Sequence, residues 1–418
     1  MKAGLSSVSR ALALVGAMVL IGACGGGYRD DNAGQQAPAQ QAPVKLQLMI
    51  GSSGDAETNA VNAAAKAWAT KTGNTVDVIP AKDINQQLTQ ALAGGTPPDV
   101  FYVDASRFST LAKSGALAPI GDKLQNVDDF YPALRQTFSQ DGKLICAPKD
   151  FSTLALQINT DMWTKAGLSD ADVPTTWDQL EAAAKKLSTG KQAGLVIGDT
   201  RDRIGAFMRQ AGGWITNPES TQMTADTPAN LTALQFVAKL LHEGSAKYPK
   251  QVDAGWSGEA LGKKKAAMVI EGNWIQGAMK ADFPDVKYAN YELPAGPSGK
   301  GTLTFTQCWG VAAKGKNQAA AIDFVNFLTT PEQQMAFADA FGVMPSRQSV
   351  SPQFQQKFPE AKAFILGATY AQGPVTATGF DSVLSEFDAG LFGMSDGSSD
   401  PKKLLADLQK NGTDALNG

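Results

Sequence analysis

Residues 45–80 read KLQLMIGSSGDAETNAVNAAAKAWATKTGNTVDVIP, and this stretch decides the fold class. The run KLQLMI predicts a strand that stops at the turn GSSG, and the segment after it predicts a helix with Val61, Ala64 and Trp68 on one face. Gly73 is a helix stop, and NTVDVIP predicts a second strand. Because strand, helix and strand follow in this order, the stretch predicts an α/β protein with a mostly parallel sheet.

The same alternation continues along the chain. DINQQLTQALAGG (residues 83–95) predicts a helix and PPDVFYVD (97–104) a third strand, and beyond residue 150 the pattern returns in TLALQIN, TWDQLEAAAKKLSTG, AGLVIG and AAMVIEG. This repetition predicts two doubly wound α/β lobes. The cleft between them is then the expected ligand site.

The N-terminal segment has the pattern of an export signal. Residues 11–23 are almost all apolar or small and follow Lys2 and Arg10, and the run is too short to span a bilayer. Ile21-Gly22-Ala23-Cys24 resembles a bacterial lipobox, which predicts removal of residues 1–23 and a lipid on Cys24. The alternative is plain secretion with an incidental cysteine.

Residues 24–43 are rich in Gly, Gln, Ala and Pro and poor in bulky apolar side chains. Such a segment buries too little surface to offset its ordering entropy, so we expect a flexible tether. Together with the lipobox, it predicts an extracytoplasmic protein anchored to the cell membrane through the Cys24 lipid.

Charge and motif content exclude several classes of function. The chain carries 37 Lys and Arg against 40 Asp and Glu, a net charge of -3, and its basic residues are scattered, so we expect no nucleic-acid partner. His242, the one histidine, is expected near a helix C-terminus, which disfavours histidine-based catalysis and metal binding. We expect no cofactor, no metal and no enzymatic activity.

Four segments resemble the sugar-binding proteins of ABC importers, of the maltose-binding type. They are LTQALAGGTPPDVFYVDASRFSTLAKSGALAPI (88–120), GKLICAPKDFSTLALQINTDMWTKAGLSDADVPTTWDQL (142–180), GKKKAAMVIEGNW (262–274) and AAAIDFVNFLTTPEQQMAFADAFGVMPSR (319–347). The likeness extends from residue 44 to the C-terminus. One departure is Ile158-Asn159, where the family commonly has Tyr-Asn.

The resemblance implies a type II periplasmic-binding-protein fold whose chain crosses between the lobes near residues 147–150, 306–311 and 344–348. Lobe one would comprise 44–148 and 311–346, and lobe two 149–310 and 347–418. It also implies a sugar ligand, the permease subunits of an ABC importer as partners, and a monomer. Cys146 and Cys308 fall at crossings that run side by side in the family, which predicts a disulfide; two buried thiols are the alternative.

Sugar recognition uses flat aromatic faces and side chains that accept hydrogen bonds from hydroxyls. Trp274 follows a predicted strand and Gly272, and it matches the position of an aromatic that stacks on sugar in the family, so we expect it in the cleft. Trp68, Trp163 and Trp177 are expected in the core. Trp214, Trp256, Trp309 and Phe380 are further aromatic candidates, each with packing as the alternative.

Seven polar side chains complete the predicted site. Asp104 ends a strand, where ligands of α/β sheets bind. The other six are Asp55 and Glu57 at the start of the first helix, Arg107, Asp150 and Arg347 beside predicted crossings or helices, and Glu271 next to Gly272. Helix capping, exposure to solvent and structural pairing are the alternatives for these groups.

These observations predict a lipid-anchored binding protein that captures a sugar, most simply an oligosaccharide, and delivers it to an ABC importer. One alternative is a binding protein for a charged solute, either a polyamine or a glycerophosphodiester. A second is a lipid-anchored glycoside hydrolase that uses a carboxylate pair.

Overall fold

A computed structural model describes residues 42–190, 192–218, 220–377 and 379–417. The predicted signal peptide, Cys24 and the tether up to residue 41 lie outside the described residues. Pro43–Gly418 forms one compact unit. None of the helices in the described ranges is long and apolar enough to cross a bilayer.

The strands are β1 Lys45–Ile50, β2 Thr75–Pro80, β3 Val100–Asp104, β4 Ser139–Gln140, β5 Lys143–Leu144, β6 Ala147–Asn159, β7 Ala193–Val196, β8 Ala246–Lys247, β9 Ala266–Gly272, β10 Tyr288–Tyr291, β11 Thr302–Val311, β12 Met344–Pro345 and β13 Ala371–Gln372.

The α-helices are α1 Asp55–Thr72, α2 Ile84–Ala93, α3 Ala105–Lys113, α4 Pro132–Thr137, α5 Thr160–Lys165, α6 Trp177–Leu187, α7 Arg201–Gln210, α8 Pro228–His242, α9 Ser257–Gly262, α10 Trp274–Asp282, α11 Gln318–Leu328, α12 Pro331–Phe341, α13 Ser351–Lys357, α14 Lys362–Gly367, α15 Asp381–Phe392 and α16 Pro401–Asn417.

The predicted β-α-β unit is confirmed. Strand β1 pairs in parallel with β2 and β3, and α1 buries Val61, Ala64 and Trp68 as its spacing predicts. The helix ends where Gly73 adopts a left-handed conformation with φ of 77°, which glycine reaches without steric cost. His242 is the last residue of α8, also as predicted.

One sheet runs through the molecule in the order β2-β1-β3-β11-β6-β9-β7-β8. Strands β2, β1 and β3 are parallel at one end, and β9, β7 and β8 are parallel at the other. Between them, β11 and β6 pair antiparallel with their neighbours and with each other. Each parallel set carries its own helices, so the fold has two α/β halves that share the central strands.

Separate hydrophobic cores support the two halves. One core packs Trp68 against Phe324 beneath β1 and β3, and another packs Trp177 against Phe207 beneath β6 and β7. Trp163 also lies in the second core, so all three tryptophans expected to be buried are buried. The exact lobe boundaries stay a prediction.

The three segments predicted as crossings lie side by side. Strand β6 pairs with both β11 and β12. Here the structure joins Cys146 to Cys308 in a disulfide, with their Cα atoms 5.8 Å apart and a sequence separation of 162 residues. The bridge therefore ties together the chain just before β6 and the middle of β11.

Candidate functional site

A cavity of about 490 Å³ lies where the central strands meet the two halves. From one half it is lined by the end of β3, the starts of α1 and α3, and the end of α12. From the other it is lined by the starts of α7 and α10 and by residues 372–375, and β6 and β11 form its floor. The carboxyl ends of β1, β3 and β9 therefore open into it, as expected for ligand sites of α/β sheets.

A buried cluster of charges occupies one wall of the cavity. The Lys149 ammonium lies 3.1 Å from the Glu57 carboxylate and contacts the Asp150 carboxylate. Glu57 also accepts hydrogen bonds from the Tyr102 hydroxyl at 2.9 Å and from the backbone and side chain of Ser53, both at 2.8 Å. Several donors therefore hold the Glu57 carboxylate in place, and a direct ion pair with Lys149 holds the Asp150 carboxylate.

The backbone of β6 explains how Lys149 reaches this cluster. In the pairing of β6 with β11, Gln307 lies opposite Asp150 but Cys308 lies opposite Pro148, so Lys149 is an extra residue in a β-bulge. In a regular strand, neighbouring side chains point to opposite faces, whereas a bulge re-aims one of them. Consequently both Lys149 and Asp150 line the cavity.

The pKa directions follow from burial and this pairing. Burial alone raises the pKa of the Glu57 carboxyl, but Lys149 and the Ser53 hydrogen bonds outweigh it, so that pKa lies below its ordinary value. Burial raises the pKa of Asp150, with Lys149 opposing the shift. Burial disfavours the Lys149 ammonium, yet Asp150 and Glu57 keep its pKa above the ordinary value. Lys149 is therefore a permanent positive charge inside the wall.

Aromatic side chains form the apolar part of the cavity. Trp274 begins α10 directly after β9, is half-buried, and meets Phe305 edge to face with ring centroids 5.2 Å apart. Its indole N–H donates to the Glu271 carboxylate at 3.1 Å, and the Arg203 guanidinium lies 5.1 Å from its ring. Trp214 and Phe341 also line the cavity.

Further polar groups line the same space. Asp104 accepts a 2.7 Å hydrogen bond from the Gln307 amide, and Arg201 is ion-paired with Asp388. Asn273 is fully buried, and its side-chain oxygen has no hydrogen-bond partner among the described residues. Buried polar atoms normally have partners, so an unpaired acceptor in the cavity lining is unusual.

Five of the predicted site residues line the cavity: Glu57, Asp104, Asp150, Trp214 and Trp274. Asp55 and Trp256 instead line a second cavity of about 1170 Å³. The two cavities share Ser53, Glu57, Trp274 and Phe341 in their walls. Arg107, Glu271, Trp309, Arg347 and Phe380 line neither.

Three of these five are packing or structural residues, which corrects the expectation that they contact ligand. Trp309 is fully buried in the first core against Tyr102, and Phe380 is 2% exposed in the second core. Arg347 is 3% exposed and donates to the backbone carbonyls of Gln125, Asn126 and Thr329. Its guanidinium is saturated by the protein.

The other two act on neighbouring side chains. Glu271 is 1% exposed and lies behind Trp274, where it accepts from the indole and from Arg203 at 2.7 Å. Arg107 of α3 forms an ion pair with Asp381 at the start of α15. Glu271 thus orients the aromatic that was predicted to contact ligand, and Arg107 joins α3 to α15.

Lys149, Phe305, Phe341 and Gln307 line the cavity and were not predicted. Phe305 and Gln307 lie in an apolar strand pattern, and Phe341 ends an apolar helix, so the sequence resembles that of ordinary core residues. For Lys149 the available signal was its position directly before Asp150 at a predicted crossing. Within the described residues, no group of three or more His, Cys, Asp or Glu side chains could hold a metal ion.

Comparison with known proteins relates this geometry to a family. Residues 63–364 match the family model described as bacterial extracellular solute-binding protein. The diacetylchitobiose-binding protein of Streptomyces coelicolor is 26% identical over 361 residues, covering 81% of this chain and 82% of that protein. The sn-glycerol-3-phosphate-binding periplasmic protein of Rhizobium meliloti is 24% identical over 273 residues, covering 60% and 62%.

An ABC substrate-binding protein of Listeria monocytogenes, solved in complex with cycloalternan, superposes with a TM-score of 0.81 at 22% identity and covers 90% of this chain and all of that one. This likeness shows the fold, the two-lobed type II periplasmic-binding-protein fold. The family match extends over most of the chain and includes β3, β6 and β11, which contribute to the cavity lining. The chain belongs to the bacterial extracellular solute-binding protein family.

Proposed function

We propose that this protein binds a saccharide, most simply a neutral oligosaccharide, between its two lobes and delivers it to an ABC importer. The observation that carries the proposal is one cavity of about 490 Å³ that combines Trp214, Trp274 and Phe305 with fixed carboxylates and amides. A pyranose presents C–H groups on its faces and hydroxyls around its rim. Aromatic rings suit the faces, and the polar side chains suit the rim.

The electrostatics of the cavity favour an uncharged or cationic ligand over an anion. Its two cationic side chains, among the described residues, are Lys149 and Arg201, and both are ion-paired with carboxylates. Asp104 is held by an amide rather than by a cation. A phosphate would need a free cation or several N–H donors, so the glycerophosphodiester alternative is disfavoured and a polyamine is less so.

The hydrolase alternative finds weaker support. Glycoside hydrolysis needs one carboxylic acid that is protonated at neutral pH and one free carboxylate. Lys149 lies between Glu57 and Asp150, and the pKa of Glu57 is below its ordinary value. The relatives described above are named as binding proteins, which agrees with capture of an unchanged ligand.

The proposal includes closure of the lobes. With boundaries at 44–148 and 311–346 for lobe one, Asp104 and Glu57 belong to lobe one, and Trp274 and Trp214 to lobe two. A ligand that contacts both sets stabilises the closed form by its differential affinity for it. We also propose anchoring through the Cys24 lipid, a monomeric state and the importer permease as the partner.

The test is a thermal-shift screen followed by calorimetric titration. Oligosaccharides of glucose and N-acetylglucosamine with two to five units are compared with spermidine and glycerophosphocholine. We expect one saccharide series to raise the melting temperature and to be recovered unchanged after long incubation. Tight binding to the native state adds about 3 kcal/mol to the free energy of unfolding at a few hundred times Kd. A response to spermidine or glycerophosphocholine alone, or cleavage of the saccharide, would refute the proposal.

A further inference from the structure

The second cavity borders the first at Trp274. Ser53, Glu57, Trp274 and Phe341 line both cavities, and the second one is larger, at about 1170 Å³. Trp274 is half-buried and begins α10, whose following residues, from Gln276 to Asp282, line only the second cavity. The indole therefore stands between two spaces rather than at the closed end of one.

The second cavity repeats the chemistry of the first. It is lined by the half-buried aromatics Trp256, Phe283 and Tyr288. The carboxylates of Asp55 and Asp282 also line it, and neither makes a hydrogen bond or ion pair with another described residue. Aromatic faces next to free carboxylate acceptors suit another sugar unit for the same reasons as in the first cavity.

An ion pair lies beside the part of the first cavity that the second does not share. Asp104 to Ser106, at the start of α3, and Leu384 of α15 line only the first cavity. Arg107 and Asp381, next to these residues, join α3 to α15 directly. On this side the first cavity is bordered by a link between α3 and α15, whereas beyond Trp274 the lining continues into the second cavity.

We propose that the second cavity holds the outer units of a longer saccharide whose first units lie in the first cavity, so that the chain passes Trp274. This inference rests on the proposed function and adds a direction and a length preference to it. Trp256 is the aromatic that contacts the outer units, and Asp282 accepts hydrogen bonds from their hydroxyls. Units beyond the second therefore add to affinity.

The experiment measures Kd by calorimetry for the same two saccharide series, from two to five units, with the wild-type protein, Trp256→Ala and Asp282→Asn. Phe392→Ala and Asp161→Asn serve as matched controls, because both side chains are exposed and line neither cavity. Asp282 is exposed, so its substitution tests the site even where Trp256→Ala fails to fold.

We expect the wild type to bind the four-unit chain at least about tenfold more tightly than the two-unit chain, which corresponds to about 1.4 kcal/mol of binding free energy. Trp256→Ala should remove that gain while changing the two-unit Kd by less than about twofold. Asp282→Asn should reduce the gain, and both controls should keep it. Equal affinity for all lengths, or a gain that survives both cavity substitutions, would overturn this inference but leave the proposed function intact. No binding in either series would overturn both.

Discussion

Trp274→Ala is the substitution that separates a ligand platform from a packing residue. The half-buried indole makes one aromatic pair, with Phe305, and one hydrogen bond, to Glu271. An aromatic pair contributes about 1 kcal/mol and a hydrogen bond to a charged group about 1.5–3 kcal/mol, part of which Arg203 retains by keeping Glu271 paired. We therefore expect the free energy of unfolding of the apo protein to fall by only about 1–3 kcal/mol.

Ligand affinity should respond more clearly than stability. A lost aromatic anchor typically costs about 1–3 kcal/mol of binding free energy, which corresponds to a Kd about five to a hundred times higher. Chemical denaturation of the apo protein and calorimetry with the best saccharide of the screen measure the two effects. The matched control is Trp68→Phe, because Trp68 is 2% exposed and lines neither cavity, so this variant should lose stability with unchanged Kd. An unchanged Kd for Trp274→Ala, or a loss of about 3–5 kcal/mol in stability as for a core aromatic, would refute the reasoning.

Three further predictions concern processing, cross-linking and pH. Protein from the native host should lack residues 1–23 and partition into detergent, and intact mass should show a lipid that Cys24→Ser abolishes; identical fractionation of the two forms would contradict this. Thiol titration of the denatured, unreduced protein should find neither Cys146 nor Cys308 free, and Cys308→Ala should lower the free energy of unfolding by about 3–5 kcal/mol because the bridge closes a long loop; two free thiols would exclude the bridge. Burial raises the pKa of Asp388 to about 6, against 3.8 for an ordinary aspartate. The folded chain then keeps a proton that the unfolded chain loses, so this group's stabilising contribution is complete below about pH 4 and is lost as pH rises towards 6. Urea denaturation from pH 4 to 7 should show a smaller decline for Asp388→Asn than for the wild type, and equal slopes would contradict the assignment.

The secondary structure was predictable because its signals are local. The apolar spacing of Val61, Ala64 and Trp68 produces the buried face of α1, and Gly73 stops the helix through its own backbone freedom. The order of strands and helices then leaves few arrangements of a parallel sheet. Antiparallel pairing of β6 with β11 was not visible in the pattern, because the two strands are separated by more than 140 residues and only the family resemblance related them.

Site residues were predictable only where a residue's position in a strand or helix determines whether its side chain reaches the cavity. Asp104 and Trp274 follow the ends of strands, and the structure places both in the cavity wall. Trp309 was chosen because it lies beside a predicted crossing, and Phe380 because it matches an aromatic of the family, yet burial depends on packing between distant segments, which a position in sequence does not reveal. Lys149 was missed since its direction comes from a bulge defined by pairing with a distant strand.

The central strands both line the cavity and connect the two halves of the fold. Lys149, Asp150 and Ser152 of β6 and residues 304–307 of β11 form the floor of the cavity, and the same two strands join the parallel sets of the two halves. The bulge at Lys149 lies where β6 leaves the first half. A β-bulge bends its strand and increases the local twist. The Lys149 ammonium forms ion pairs with Glu57 of α1 and with Asp150 of β6. The disulfide joins Cys146, just before β6, to Cys308 of β11. Under the proposed closure of the lobes, a ligand on this floor would contact the strands that connect the two halves, and the contacts that change on closure would come mainly from the walls, from Asp104 on one side and Trp274 on the other.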